Sequence, residues 1–242
     1  MPNDIEMRAL VRAYPCLQRL DADALSRLQS LTGEVLASKQ FLGAGGLVPD
    51  RADCLQVAVH AALPVVARGL DWLDGFQSFV LHRDEFAVEI DEYDDAGLVH
   101  HRRDLRAGEA WQGGPLVLSL ADVAISGQGE GYHVVVHEIA HQIDALNGEP
   151  DGFPPLPEEI AAPEWTRVFT DAWQRLETLI ESATPPWIDP YAAESPAEFF
   201  AVVCELHFDR PETLRRHEPA LHALLRRFFA IDPAGRTVSP LH

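Results

Sequence analysis

Two histidines stand four residues apart in GYHVVVHEIAHQIDALNG (131–148), and a glutamate directly follows the first. On a helix, His137 and His141 fall on one face and can offer imidazole nitrogens to one ion. Zn²⁺ takes neutral imidazole nitrogen readily. Glu138, one position on, cannot bind in the same way. Its carboxylate can instead take a proton from a water whose pKa the metal has lowered to roughly 7. The pattern His-Glu-x-x-His is a known metalloprotease motif, although so short a motif also arises by chance. The other positions, Val134, Val135, Val136, Ile139, Ala140, Ile143 and Leu146, are apolar, so the helix is expected to be buried. Buried imidazoles and carboxylates need partners. A metal is one solution, and a hydrogen-bonded polar cluster is the plainer one.

Catalytic zinc commonly has three protein ligands and one open position. A metzincin would place histidine at 147 and glycine at 144. This chain has Asn147 and Asp144 there, so the third ligand is expected to be a carboxylate from a later helix. Glu158, Glu159, Glu164, Glu177, Glu181, Glu194, Glu198 and Glu205 are available. Glu198 is the best placed, because Phe199, Phe200, Ala201, Val202 and Val203 beside it are apolar. The competing reading is that Ser195-Pro196-Ala197-Glu198 is a capping box with proline at the first helical position. Glu194 and Glu205 are fallback ligands, and Glu205 could instead support a ligand from behind.

Tyr191 precedes Pro196, which disfavours helix at Ser195, so Tyr191 is expected in a turn ahead of that helix. A phenol there could stabilise an oxyanion. Simple packing is the alternative. Asp144, one turn beyond His141, either orients a ligand or serves as a surface or capping residue. His133, four before His137, reads as hydrogen-bonded or exposed and not as a ligand.

The elements that must position these groups form an α+β order: helices, a small sheet, then helices. Leucines at 10, 17, 20, 25, 28 and 31 predict helix over 5–40, interrupted at Pro15. FLGAGGLVPD (41–50) reads as a loop and 51–70 as helix. Strands are expected between 76 and 120, with 91–106 a polar connection and 114–123 a short strand. The motif helix should stop at Asn147-Gly148. A proline-rich loop spans 149–163, and helices are expected over 164–182, 196–208 and 211–230. That loop and the tail 233–242 could each cover the site.

The 242 residues are 47% apolar and 24% charged, which is ordinary for a globular chain. The net charge is −19, and the closest approach to a basic patch, His100-His101-Arg102-Arg103, is flanked by acids. Nucleic acid and anionic membranes are therefore poor partners. Cys16, Cys54 and Cys204 are odd in number and widely spaced, as expected of reduced thiols in a reducing compartment. The N-terminus lacks an apolar signal-peptide core, and the longest apolar run, 55–67, is too short to span a bilayer. A cytoplasmic location is expected.

HEIAHQIDALNG, DGFPPL and DPYAAESPAEFFAVVCELHF together resemble the MtfA-type zinc metallopeptidases, a family related to the catalytic domain of anthrax lethal factor. Weaker similarity in KQFLGAGGL (39–47) and GEAWQGGPLVLSLADV (108–123) extends the resemblance over most of the chain. It implies a zincin-like fold over 1–242, a small mixed sheet packed with helices. The parts would be an N-terminal helical part (1–75), the sheet (76–125) and a helical metal-binding part (126–242). It implies one zinc per chain on His137, His141 and Glu198, with Glu138 as general base and Tyr191 as the transition-state tyrosine. It implies peptide or protein substrates, with aminopeptidase action on short peptides as one form. The alternative it carries is a regulatory protein that sequesters a transcriptional repressor. VLSLAD is expected at the sheet edge, where substrate would add as a strand. His133 stands where the family is expected to carry asparagine.

Overall fold

A computed structural model describes residues 1–84 and 114–235 throughout, and the backbone of 86–93, 99–106 and 108–110. The tail beyond Gly235, expected as a possible cover, lies outside the described residues, as do 94–98 within the expected polar connection.

The chain opens with α1 (Asp4–Ala13), α2 (Pro15–Gln18) and α3 (Ala22–Ser38). Asn3 and Glu6 form a reciprocal capping box on α1, and Asp21 caps α3 by accepting from Ala24 N–H. The predicted helix therefore holds, with the break at Pro15. It ends before residue 40, because Gln40–Gly43 is a strand, β1. The loop reading of 41–50 is corrected to that extent. β1 is mostly exposed, and its strand character comes from pairing with a distant segment. α4 (Arg51–Ala62) stops well short of 70 because Pro64 follows its C-cap.

β2 (Ser78–His82) is followed by β3 (Phe86–Tyr93), β4 (Val99–Arg106), β5 (Gly108–Ala110) and β6 (Leu116–Ser119). β3 and β4 pair antiparallel as a separate ribbon, so the polar connection is a strand excursion. The main sheet runs β1-β2-β6-β5, with the first three strands parallel and β5 antiparallel. It is small and mixed, as expected, but takes its outer strand from the N-terminal part. VLSLAD is not at an edge: β6 is hydrogen-bonded on both sides, and β5 is the outer strand there. The last residues of that stretch open α5 (Leu120–Ile125), capped by Ser119.

α6 (Val134–Asp144) carries the motif and continues as a 3₁₀ turn to Asn147. α7 (Ala162–Glu181) and a 3₁₀ turn at Pro190–Ala193 lead to α8 (Pro196–Asp209). The final predicted helix is two, α9 (Pro211–His217) and α10 (Pro219–Phe229), divided at Pro219. Among the described residues no helix is long and apolar enough to cross a membrane.

Every residue of α8 from Phe199 to Asp209 is buried, and α6 is buried on most faces. A helix apolar nearly all round belongs inside a core. The two pack against each other, with α4 also against α6. The surrounding cluster includes Phe76, Phe79, Leu118, Trp165 and Phe228. A buried side chain of this size contributes roughly 1.5–3 kcal/mol over its exposed state.

Candidate metal centre

Polar side chains cross the α6–α8 interface at several levels. Near the C-terminus of α8, Asp209 accepts from the N–H groups of Gly129 (2.8 Å) and Gly131, which holds the loop leading into α6. One turn earlier in α8, Glu205 accepts from His133 N–H and from Nδ1 of His137, the latter at 2.8 Å. At the first turn of α8, Glu198 faces both motif histidines. Beyond them, Asp144 accepts from Gly152 N–H at 2.7 Å. Gly152 has φ +80°, and a Cβ there would lie 2.6 Å from the Pro196 carbonyl oxygen, so the proline-rich loop is pressed against the start of α8.

Nε2 of His137 and Nε2 of His141 are 3.1 Å apart. Oε2 of Glu198 lies 3.1 Å from the first and 3.4 Å from the second. A tetrahedron with zinc–ligand bonds of about 2.0–2.1 Å has edges of roughly 3.3–3.4 Å. The three atoms are thus spaced as ligands of one small cation. The tautomer agrees: the Glu205 carboxylate can only accept, so His137 donates from Nδ1 and turns its Nε2 lone pair inward. Three carboxylates, Glu138, Glu198 and Glu205, act on His137 electrostatically or by hydrogen bonds. Burial alone would lower its pKa, but the bonds to Glu198 and Glu205 reverse this and hold it well above the ordinary imidazole value. Burial likewise opposes ionisation of Glu198, and His137 and His141 overcome it, holding its pKa well below the usual carboxylate range. The charges that favour a proton on His137 would equally favour a metal cation in its place, where the three atoms meet.

The rival capping reading of Glu198 separates into two parts. Ser195 Oγ accepts from Glu198 N–H at 3.1 Å, so the helix is capped. The reciprocal bond of a capping box, recorded for α1 and α4, is absent from α8. The backbone caps while the carboxylate faces the histidines. Tyr191 lies in the 3₁₀ turn, as predicted, with its ring centroid 6.2 Å from that of His137 and 44% of its surface exposed. Glu138 is buried on α6. Glu194, Glu158 and Glu159 are exposed, and Glu159 pairs with Arg68. Asp144 is fully buried against the loop, neither a surface nor a capping residue, and burial raises its pKa to about 6. His133 is the N-cap of α6, accepting from Val136 N–H at Nδ1, and is fully buried. It meets Cys16 and His60 in a second cluster, which no local pattern in the chain signals.

The Glucose-regulated metallo-peptidase M90 family matches residues 2–230 of this chain. The chain belongs to this family. It is 36% identical over 230 residues to Mlc titration factor A of Enterobacter sp. (strain 638), covering 93% of this chain and 85% of that protein. It is 34% identical over 228 residues to Mlc titration factor A of Salmonella arizonae, covering 93% and 90%. Membership in an M90 metallopeptidase family implies a metal ion, and the cluster on α6 and α8 has the donor chemistry for one. The side chains of His137 and His141 remain 14% exposed and that of Glu198 20%, so the cluster is not sealed as a whole, although Glu198 Oε2 itself is buried.

Proposed function

We propose that the protein is a zinc-dependent peptidase with a zincin-like fold, and that His137, His141 and Glu198 hold the ion. The observation that carries this reading is the convergence of the two Nε2 atoms and Oε2 at 3.1–3.4 Å. Zinc bound there would supply a Lewis acid and a water of lowered pKa, roughly 7. The chain's own residues do the rest. Glu205 keeps the His137 proton on Nδ1. Glu138, next to a ligand on the same helix, takes the proton of the attacking water and passes it to the leaving amine. Tyr191 donates its phenolic hydrogen to the oxyanion that develops on the scissile carbonyl. An extended substrate would lie along β5, the outer strand of the sheet beside α6, adding through main-chain hydrogen bonds.

Aminopeptidase action on short peptides is the form to assay first. Glu138→Gln should keep about one ion at this site and lose turnover by at least 10²-fold. Unchanged turnover in that variant defeats the mechanism.

A second reading rests on the relatives, whose name, Mlc titration factor A, states that they titrate Mlc. By this reading the chain sequesters a transcriptional repressor and peptidase activity is accessory. Co-purification of a repressor with wild type and Glu138→Gln alike, without peptidase activity in either, would favour it.

A further inference from the structure

We propose that Cys16, His60 and His133 form a second metal site, closed and structural, for a thiophilic divalent ion such as Zn²⁺. The three come from distant parts of the chain: Cys16 from α2, His60 from the last turn of α4 and His133 from the N-cap of α6. Their donor atoms lie within 4.8 Å of one another. All three are sealed from solvent, with exposures of 1%, 0% and 0%. Both ring nitrogens of His60 and Nε2 of His133 have no hydrogen-bond partner. Buried polar atoms left unpaired are costly, and one nitrogen of each imidazole lies near the thiol here. A cation would bind these two nitrogens and the sulfur together.

The surroundings fit such an ion. Gly127 closes over the cluster with φ +70°, and a Cβ there would sit 2.7 Å from Cys16 Sγ and 3.3 Å from His133 Nε2. Its carbonyl accepts from Cys16 N–H at 3.4 Å. The buried carboxylate of Asp209 acts on Cys16, so a thiolate and one carboxylate would balance a double positive charge. Ligation through His133 Nε2 moves the ring proton to Nδ1, in exchange for a long 3.3 Å bond from Val136. Cysteine and histidine are the usual donors of structural zinc sites, and these three side chains supply three of the four positions such an ion takes. The ion would pin α2 and α4 to the start of the helix that presents His137 and His141. The two sites share no residue, so either can be empty while the other is filled.

The test uses the full chain expressed in cobalt-supplemented medium, because a sealed site loads during folding. A thiolate-to-cobalt charge-transfer band requires a cysteine ligand, which the His137–His141–Glu198 cluster lacks. The band should appear in wild type and in His141→Ala, and fall at least tenfold in Cys16→Ser and His133→Asn. Asparagine is itself a strong N-cap, so His133→Asn removes the ligand while α6 keeps its cap, even if Cys16→Ser fails to fold. Zinc-grown protein should carry two ions in wild type and one in His133→Asn. A folded wild-type protein without the band, or a band unchanged in His133→Asn, overturns the proposal.

Discussion

Glu205 on α8 holds His137 on α6 through a 2.8 Å bond to Nδ1, and the same carboxylate accepts from the backbone N–H of His133. One side chain thus fixes the tautomer of a motif histidine and the start of its helix. Replacing such a partner behind a metal-bound histidine typically weakens metal affinity by roughly 10–100-fold. Glu205→Gln should fall in that range, read by competition with a chelator. Affinity equal to wild type would remove Glu205 from the site.

Ser195 and Glu198 do separable jobs on the same turn. Ser195→Ala should cost about 1 kcal/mol of stability and leave the ion in place. Glu198→Ala should lose the ion from this site while the cap, which uses only the backbone N–H, persists. Elemental analysis alongside denaturant unfolding of the metal-free protein separates these outcomes. Retained metal in Glu198→Ala would point to a different third ligand.

Tyr191 is exposed and its ring sits beside His137, so removing its hydroxyl should not disturb folding. Tyr191→Phe is expected to lower kcat by roughly 10²–10³-fold, with metal content unchanged and KM little altered. Steady-state kinetics on one peptide substrate checks this, and a kcat near wild type would return Tyr191 to plain packing.

His207 provides the acid-sensitive element. Burial lowers its pKa to about 3, and the charges of His222 and Arg226 push the same way, against a backbone contact at Ile231. The folded pKa lies below the unfolded one, about 6.5. The associated stability is therefore present above pH 6.5 and is lost as pH falls toward 3. His207→Leu should make the protein less acid-labile, moving the acid-unfolding midpoint to lower pH. Unfolding curves at pH 7 and pH 4 measure it, and an unchanged pH dependence would count against His207.

Much of the candidate site was legible because its parts follow local rules. A spacing of four puts His137 and His141 on one face whatever the surrounding fold. The apolar run after Glu198 marked a buried helix, and Pro196 placed Tyr191 in a turn. The errors had tertiary causes. Residues 40–43 are strand only because β2 lies alongside. The edge expected at VLSLAD was removed by β5, a three-residue strand with no sequence pattern of its own.

Local patterns in the chain were enough for the α+β order, the motif helix, the family and a short list of carboxylates for a third ligand. The tertiary structure decided which carboxylate meets them, because only the packing of α8 on α6 brings Glu198 to the histidines and Glu205 behind one of them. It also decided that His133, plain in sequence, meets Cys16 and His60. Spacing along a helix is set by backbone geometry and can be read from the chain. Convergence of side chains from separate helices is set by how the apolar faces pack, and no single stretch encodes it.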